Sequence, residues 1–253
     1  MNIDLSGRLA LVTGGSGDLG RVIVRTLAAC GADVAIHCLR NREQADRLRG
    51  EVEAIGRRAV VVQGDVGAKA DVSAMHDAIT AALGEPDIVV ANAVLQYQWK
   101  QVLEQDPADY EGQFRSCVLH AVNLAQAFAP AMIRRRRGRI IGINTECSVQ
   151  NNPSQSAYVS GKRGMDGVLR CLAKEIGQYE VTVNQVAPGW MISDRDRAAG
   201  IAVDDGYSKH VPMRRRGVDQ DIANAVAFLA SDLAGFINGA MLPVCGGNVM
   251  VGV

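Results

Sequence analysis

The sequence predicts an α/β fold, a doubly wound parallel sheet of about seven strands with helices on both faces. Short apolar runs alternate with longer segments of helical period along the chain. The runs are rich in Val, Ile and Ala without alternation, which is typical of strands buried on both faces. In chain order they are RLALVTG, ADVAIHC, RAVVVQGD, DIVVANA, RIIGIN, VTVNQVAPG and MLPVCGG.

The length of the chain and the absence of a linker-like stretch predict its domain organisation. A chain of 253 residues, 48% of them hydrophobic, is able to bury its core as one domain. No internal repeat, low-complexity tract or linker-like stretch divides the sequence. We therefore expect a single domain over residues 1–253, with a loop or lid over the least regular stretch, at about 190–217.

The charge balance argues against a polyanionic partner. Lys and Arg together number 27, as do Asp and Glu, so no net field would draw the protein to nucleic acid or an anionic membrane. The arginine-rich stretch at 134–139 is expected to form a solvated turn, with anion binding as the alternative. No apolar run approaches the roughly 20 residues that span a bilayer, and the N-terminal segment lacks signal-peptide features. We expect a cytoplasmic protein whose partner is a small molecule.

The cysteines are expected to be reduced, mostly packed thiols. There are six, and they show neither CxxC spacing nor the Cys/His spacing of a metal site. We expect no disulfide and no metal.

A glycine-rich segment follows the first predicted strand. The sequence LALVTGGSGDLGRVIVRTLAACGADVAIH is typical of strand, turn, helix and strand, and Gly15, Gly17 and Gly20 satisfy GxGxxG. Glycines there let the backbone approach a pyrophosphate, whose charge the N–H groups of the helix N-terminus receive. The alternative is a glycine turn that only connects strand to helix. The residues expected at the nucleotide in this Rossmann-type unit are Gly14, Gly15, Ser16, Gly17, Asp18, Leu19 and Gly20.

The end of the second predicted strand bears on which nucleotide binds. NAD sites usually place Asp or Glu there for the ribose diol, whereas this strand ends in His37-Cys38-Leu39-Arg40. Arg40 and the nearby Arg42 would pair with a 2′-phosphate. NADP(H) is favoured, with NAD(H) as the alternative; both arginines could instead begin a solvated helix.

Tyr158 and Lys162 form a candidate acid/base pair. They lie four residues apart on a segment of helical period, so both face one side of the helix. A tyrosine hydroxyl has an ordinary pKa of about 10, and a nearby ammonium stabilises the phenolate and moves that pKa toward neutrality. Such a pair alone is common, and becomes informative only with further motifs.

Those motifs are present, and with them the whole chain resembles the classical short-chain dehydrogenases/reductases, similar to the β-ketoacyl carrier-protein reductases. The landmarks are Thr13-Gly14 with Gly20, Asp65, Asn92-Ala93, Tyr158-x-x-x-Lys162, Asn184, Pro188-Gly189 and Gly246-Gly247. The resemblance implies a nicotinamide-dependent oxidoreductase, in which Tyr158 is the general acid/base and Lys162 lowers its pKa and binds the nicotinamide ribose. It also implies cofactor contacts at Asp65, Val66, Asn92, Ala93, Tyr158, Lys162, Pro188, Gly189 and Ser193.

Several positions depart from that family's pattern, among them Ala91 and Val94, which replace the Asn and Gly of the usual Asn-Asn-Ala-Gly. Thr145, 13 residues before Tyr158, stands where the family has serine, and its hydroxyl is still able to bind the substrate oxygen. Cys117 stands at the asparagine of the family's proton relay, and a thiol is a poor hydrogen-bond partner. Asp18 replaces a loop glycine and competes with pyrophosphate for the positive end of the helix. These departures leave a second hypothesis open, a cofactor-sensing binding protein that has lost catalysis.

The substrate pocket is expected after the fourth, fifth and sixth strands, where the resembling enzymes have it. Those segments are polar in this sequence, and Gln96, Glu146, Gln155 and Trp190 are the expected pocket residues. A sugar, a polyol or their keto form would satisfy such groups better than an apolar ligand. The alternative is that these side chains face solvent. The resemblance also implies a homo-oligomer, a tetramer or a dimer.

Overall fold

The computed structural model describes residues 2–192, 200 and 206–250. Seven parallel strands form the main sheet, in the order β3-β2-β1-β4-β5-β6-β9. They are β1 (Leu9–Val12), β2 (Asp33–Cys38), β3 (Ala59–Gln63), β4 (Ile88–Ala91), β5 (Gly138–Ile143), β6 (Val181–Pro188) and β9 (Met241–Val244). Two further short strands, β7 (Met191–Ile192) and β8 (Gly217–Val218), pair with each other. Each of the seven predicted runs contains one strand of the main sheet, except that β5 begins one residue before its run, at Gly138, so the predicted fold class is confirmed.

Helices occupy both faces of the main sheet. They are α1 (Asp18–Ala29), α2 (Arg42–Ala54), α3 (Lys69–Leu83), α4 (Pro107–Gln113), α5 (His120–Arg135), α6 (Cys147–Gln150), α7 (Ser156–Ile176), α8 (Gly206–His210) and α9 (Asp219–Ala230). A π-helical turn (Phe114–Leu119) joins α4 to α5, and 3₁₀ turns cover Gly177–Tyr179 and Asp232–Ala234.

The buried side chains form two apolar clusters, one on each side of the sheet. Leu11 and Val12 are neighbours in β1 but belong to different clusters, because successive side chains of a strand point to opposite faces. One cluster includes residues of α1, α2 and α9, and the other includes residues of α3, α5 and α7. Burial on both faces explains why the strand runs are apolar throughout.

The helical stretch Pro107–Arg135 is long and apolar enough to cross a membrane by length and composition alone. Of its most apolar window, 61% is buried inside the fold, and α5 packs against α3 and α7. Among the described residues no other helix meets that test. The stretch is therefore part of the helical core of the domain.

The arginine-rich stretch is more than the solvated turn that we expected. Arg137 donates to the buried carboxylate of Asp87 at 2.8 Å, and Asp87 also accepts a hydrogen bond from the backbone N–H of Leu9. Arg135 donates to the backbone carbonyls of Glu85 and Pro86. These bonds join the amino ends of β1, β4 and β5, on the edge of the sheet opposite the glycine-rich loop.

Gly20 provides a test of the packing between α1 and that loop. A Cβ at Gly20 would lie 2.1 Å from the backbone oxygen of Gly14, so Gly20→Ala should force the two apart and lower the free energy of unfolding by about 1–3 kcal/mol. Gly50→Ala is the control, because a Cβ there meets open space on α2 and should stabilise by about 0.5–1 kcal/mol. Urea unfolding measures both. Equal effects of the two substitutions would contradict this packing argument.

Candidate active site

The predicted site residues gather at the carboxyl edge of the main sheet. Parallel strands end at a common edge, so the loops after β1, β2, β4, β5 and β6 are neighbours there. Strand β1 lies between β2 and β4, at the point where the order of the strands reverses. A crevice at such a point is the usual ligand site of an open α/β sheet.

The glycine-rich loop turns tightly and packs closely against β2. Gly14 has φ +63°, a left-handed conformation that favours glycine, and the N–H of Gly17 donates to its carbonyl at 3.0 Å. A Cβ at Gly15 would lie 2.9 Å from the side chain of Ile36. Residues 14–17, including the partly buried Ser16, form the turn, and helix α1 begins at Asp18. Among the described residues, a Cβ at the exposed Gly17, just before α1, would meet only the Gly14 carbonyl within 4 Å, so the backbone at the start of the helix is open to a pyrophosphate.

Asp18 is paired within helix α1. Its Oδ1 lies 3.0 Å from Nη2 of Arg21, one turn along the helix. This ion pair offsets part of the carboxylate charge at the positive end of α1, where Leu19 and Gly20 continue the first turn. The expected competition between Asp18 and a pyrophosphate is therefore reduced by a neighbouring cation.

Thr13 joins the loop after β1 to the loop after β4. Its buried hydroxyl donates to the carbonyl of Val90 and accepts from the N–H groups of Asn92 and Ala93. The Asn92 amide donates back to the carbonyl of Thr13 at 2.9 Å. Asn92 and Ala93 are thus held beside the glycine loop.

The loops after β2 and β3 lie on the other side of β1. Arg40 is exposed at the end of β2, whereas Arg42 begins α2 and pairs with Asp46 on the same helix. Asp65 follows β3, and its carboxylate accepts from the N–H of Gly67 and from Arg115 at 3.2 Å. The next residue, Val66, is buried, and its carbonyl accepts from Asn123 at 3.0 Å.

Helix α7 places Tyr158 and Lys162 at the end of β5. The Lys162 ammonium is buried and donates to the carbonyl of Ile143 at 2.6 Å. Its Nζ lies 5.7 Å from the centre of the Tyr158 ring. Thr145 follows β5, and its hydroxyl interacts with the Tyr158 hydroxyl and accepts from the N–H of Cys147. The structure thus brings together the three residues that the spacing predicts.

The pKa of Tyr158 shifts opposite to expectation. Burial raises the pKa of the phenol above its ordinary value, and the nearby Cys147 and Cys117 thiols raise it further; the Thr145 hydrogen bond only partly offsets them. Burial also lowers the pKa of Lys162. The chain's own groups therefore keep Tyr158 protonated at neutral pH, and burial is the largest of these effects.

Cys117 lies at the centre of this cluster, in the π-helical turn before α5. The thiol is buried, and its Sγ lies 3.9 Å from Oε1 of Gln113, a weak contact. π-helical turns inside helices often occur at functional sites. The side chain has little hydrogen-bonding capacity.

Glu146 joins three segments of the site. It is 3% exposed, and its carboxylate accepts from the hydroxyl of Tyr207 at 2.8 Å and from the amide of Asn248 at 3.0 Å. Tyr207 also accepts from the backbone N–H of Trp190. Both Glu146 oxygens thus have donors within the chain, and this corrects the expectation that the carboxylate faces substrate. Burial raises the pKa of Glu146, and the two hydrogen bonds oppose that rise.

The segment after β6 runs beside this network. The Pro188 carbonyl accepts from the N–H of Glu146, and the Gly189 N–H donates to the Val244 carbonyl. The exposed Trp190 ring packs edge-on against Tyr207 and under the guanidinium of Arg216, which lies 4.2 Å from the ring centre. Ser193 and the middle of the predicted lid lie outside the described residues.

Aromatic side chains from the loop after β4 cover Tyr158. Trp99 stacks on the Tyr158 ring with centroids 5.9 Å apart, and the Tyr97 hydroxyl accepts from the N–H of Tyr158 at 2.8 Å. Gln155 precedes α7, and its Oε1 is buried without a hydrogen-bond partner among the described residues. Gln96, in contrast, is exposed.

Sequence reasoning missed several residues at this edge. They are His37, Tyr207 and Asn248; Tyr97, Trp99 and Cys147 lie within the segments expected to form the pocket but were not singled out. The only local signal in the sequence was the pair of aromatic residues Tyr97 and Trp99, which lie in the expected pocket segment after β4. All six cysteines are free, and no group of three metal-ligating side chains occurs among residues 2–192, 200 and 206–250.

The comparisons with known proteins agree with this geometry. A family model described as enoyl-(acyl carrier protein) reductase matches residues 16–248. The 3-oxoacyl-(acyl-carrier-protein) reductase of Escherichia coli is 35% identical over 249 residues, covering 98% of this chain and 100% of the relative.

Two solved structures have the same fold. A gluconate 5-dehydrogenase from Burkholderia cenocepacia, in complex with NADP and tartrate, is 31% identical with a TM-score of 0.89, covering 98% of this chain and 97% of that one. A 7α-hydroxysteroid dehydrogenase, complexed with NADH and 7-oxo glycochenodeoxycholic acid, is 30% identical with a TM-score of 0.90, covering 99% and 97%.

A glycine-rich nucleotide loop beside a Thr/Tyr/Lys cluster, at one edge of a parallel sheet, defines a nicotinamide-dependent oxidoreductase. The chain belongs to the classical short-chain dehydrogenase/reductase family, whose members act on alcohol or carbonyl groups with NAD(P)(H).

Tyr207→Phe tests the Glu146 network. Removal of the hydroxyl leaves the Trp190 N–H and one Glu146 oxygen without their partner, so the free energy of unfolding should fall by about 1–3 kcal/mol. Tyr179→Phe is the matched control, because that partly buried hydroxyl has no hydrogen bond within the described residues. Urea unfolding of both variants measures the difference. A Tyr207→Phe protein as stable as the control would refute the network's contribution.

Proposed function

We propose that this protein interconverts a secondary alcohol and a ketone with NADP(H), on a small polar substrate. The observation that supports this most is the Thr145, Tyr158 and Lys162 cluster, held beside a loop with space for a pyrophosphate. A hydroxyl pair of this kind is able to hold a carbonyl oxygen and protonate it.

The chain's own residues supply orientation and the proton. The bound cofactor supplies or accepts the hydride. Thr145 and Tyr158 both offer hydroxyls to the substrate oxygen, and Tyr158 donates the proton when a ketone is reduced. Because burial raises the pKa of Tyr158, the phenol stays protonated at neutral pH and serves as an acid in reduction. In oxidation the same group acts as a base, and for this it must first lose its proton.

The preference for NADP(H) rests on the end of β2. No carboxylate stands in the segment Cys38 to Asn41, and the guanidinium of the exposed Arg40 has no hydrogen bond or ion pair within the described residues. A free guanidinium there is suited to a 2′-phosphate. The gluconate 5-dehydrogenase structure contains NADP and the hydroxysteroid dehydrogenase structure contains NADH, so the family accommodates both.

A polar substrate is supported by the pocket side chains. The unpartnered Oε1 of Gln155 offers an acceptor to a substrate hydroxyl, and an apolar ligand would leave this atom buried and unpaired. Trp99 adds an aromatic face beside Tyr158 on which a sugar-like ring is able to pack. We therefore place a sugar, polyol or hydroxy acid, or its keto form, ahead of a steroid.

The setting that we propose is a cytoplasmic homo-oligomer, dimer or tetramer, built from one domain of residues 1–253. Six free thiols suit a reducing compartment. Phe114 and Phe236 are exposed large apolar side chains of the kind that oligomer interfaces cover. Light scattering of the purified protein measures the assembly.

Tyr158→Phe tests the assigned acid. The variant should lose about 10²–10⁴-fold in kcat while NADPH affinity changes little, since only the proton donor is removed. Wild-type oxidation should speed up as pH rises, because the raised pKa leaves little phenolate at neutral pH. Absorbance at the nicotinamide band, with keto sugars, hydroxy acids, a 3-oxoacyl thioester and a 7-oxo steroid as substrates, measures both.

The control for Tyr158→Phe is Tyr110→Phe, whose hydroxyl bonds to Ser156 at the start of the same helix. Undiminished turnover in Tyr158→Phe would remove the assigned acid. Tight NADPH binding by wild type with no turnover of any substrate would instead support the cofactor-sensing alternative.

Arg40→Glu tests the nucleotide preference. Exchanging a phosphate-binding cation for a carboxylate should weaken NADPH binding by about 10–100-fold and leave NADH binding equal or stronger. Arg47→Glu is the control, because Arg47 is an exposed arginine already paired with Glu43 on the following helix. Fluorescence titration gives the four dissociation constants. An Arg40→Glu protein that keeps its NADPH affinity would show that Arg40 does not meet the 2′-phosphate.

A further inference from the structure

His37 lies directly beneath the glycine-rich loop. It is 1% exposed near the end of β2, and its backbone carbonyl accepts from the N–H of Gly15 at 2.8 Å. Its ring Nδ1 accepts from the N–H of Gly14 at 2.9 Å. Its Nε2 lies 2.9 Å from the carbonyl of Gly64. One imidazole thus spans the loop after β1 and the loop after β3.

The two partners determine the protonation state of the ring. A backbone N–H only donates and a carbonyl only accepts, so Nδ1 must lack a proton and Nε2 must carry one. That arrangement is the neutral imidazole in its Nε2–H form. A second proton would place an N–H of the ring against the N–H of Gly14 and remove the acceptor on which the left-handed Gly14 depends.

We propose that neutral His37 is a positioning residue for the cofactor, holding the glycine loop in the shape that receives the pyrophosphate and releasing it when protonated. The proposal rests on the nucleotide-dependent function proposed above. It predicts that cofactor affinity falls at acid pH because His37 becomes protonated, independently of the chemical step.

The charges around His37 act in opposite directions. Burial lowers the pKa of His37, whereas the carboxylate of Asp65, from the loop after β3, raises it. His120, on α5, is fully buried with its pKa lowered to about 3, so it stays neutral in the working range. Because burial is the largest effect, neutral His37 persists below the ordinary histidine pKa of about 6.5, and loop holding should fail only on further acidification.

Two amide substitutions separate the two ring contacts. Asparagine places its Oδ1 where histidine has Nδ1, so His37→Asn retains an acceptor for the Gly14 N–H that no proton blocks. Glutamine reaches to the position of Nε2, so His37→Gln retains a partner for Gly64 but leaves the Gly14 N–H unpaired. The two variants carry the same amide group and differ in whether Gly14 or Gly64 keeps its hydrogen-bond partner.

Fluorescence titration with NADPH and NADH at steps of pH from 8 down to the acid limit of folding tests the proposal, with thermal unfolding marking that limit. At pH 8 His37→Asn should bind within about threefold of wild type, and His37→Gln about tenfold or more weakly. As the pH falls below the ordinary histidine range, wild type should lose affinity for NADH, which has no 2′-phosphate to titrate, before it unfolds, while His37→Asn should not.

The outcomes are distinct. Equal affinities for the two variants at pH 8, or the wild-type pH dependence retained in His37→Asn, would overturn the role of His37 while leaving the oxidoreductase function intact. A gain in affinity at acid pH, from attraction between a protonated His37 and the pyrophosphate, would also overturn it. A wild-type protein that binds neither nucleotide at pH 8 would overturn the proposed function as well.

Discussion

The single direction of the seven main-sheet strands is the constraint on which the site depends. It brings the ends of β1, β4 and β5 to one edge, where a few hydrogen bonds fix the loops to each other. The Thr13 hydroxyl joins the first two loops, and the Lys162 ammonium joins α7 to the end of β5. The glycine-rich loop and the acid/base cluster are therefore positioned by one rigid frame, as catalysis by orientation requires.

Three of the departures from the family pattern are seen in their surroundings in the fold. Asp18 and Thr145 have local partners, and Cys117 has only a weak contact. Asp18 has Arg21 beside it, and Thr145 retains its interaction with Tyr158. Cys117 has only a long contact to Gln113. Burial in the fold explains why Tyr158 is held as an acid rather than as a phenolate.

Local patterns were enough to predict the sheet and the Tyr158/Lys162 pair. Strand burial leaves apolar runs, and helical spacing places residues four apart on one face, so both have a signature within a short window. The Glu146 network has none, because Tyr207 and Asn248 lie 61 and 102 residues further along the chain. The predicted lowering of the Tyr158 pKa was wrong for a similar reason. Burial raises that pKa, and burial depends on packing from the whole fold.

Single-turnover hydride transfer tests the central claim most directly. Protein mixed with NADPH and a saturating polar ketone should consume the reduced nicotinamide, and more slowly when the cofactor is deuterated at the transferred position, because this account makes the protein a redox enzyme. Stopped-flow absorbance records that decay. Tight NADPH binding with no decay for any polar, thioester or steroid ketone would contradict the account and leave a nucleotide-binding protein of the same fold.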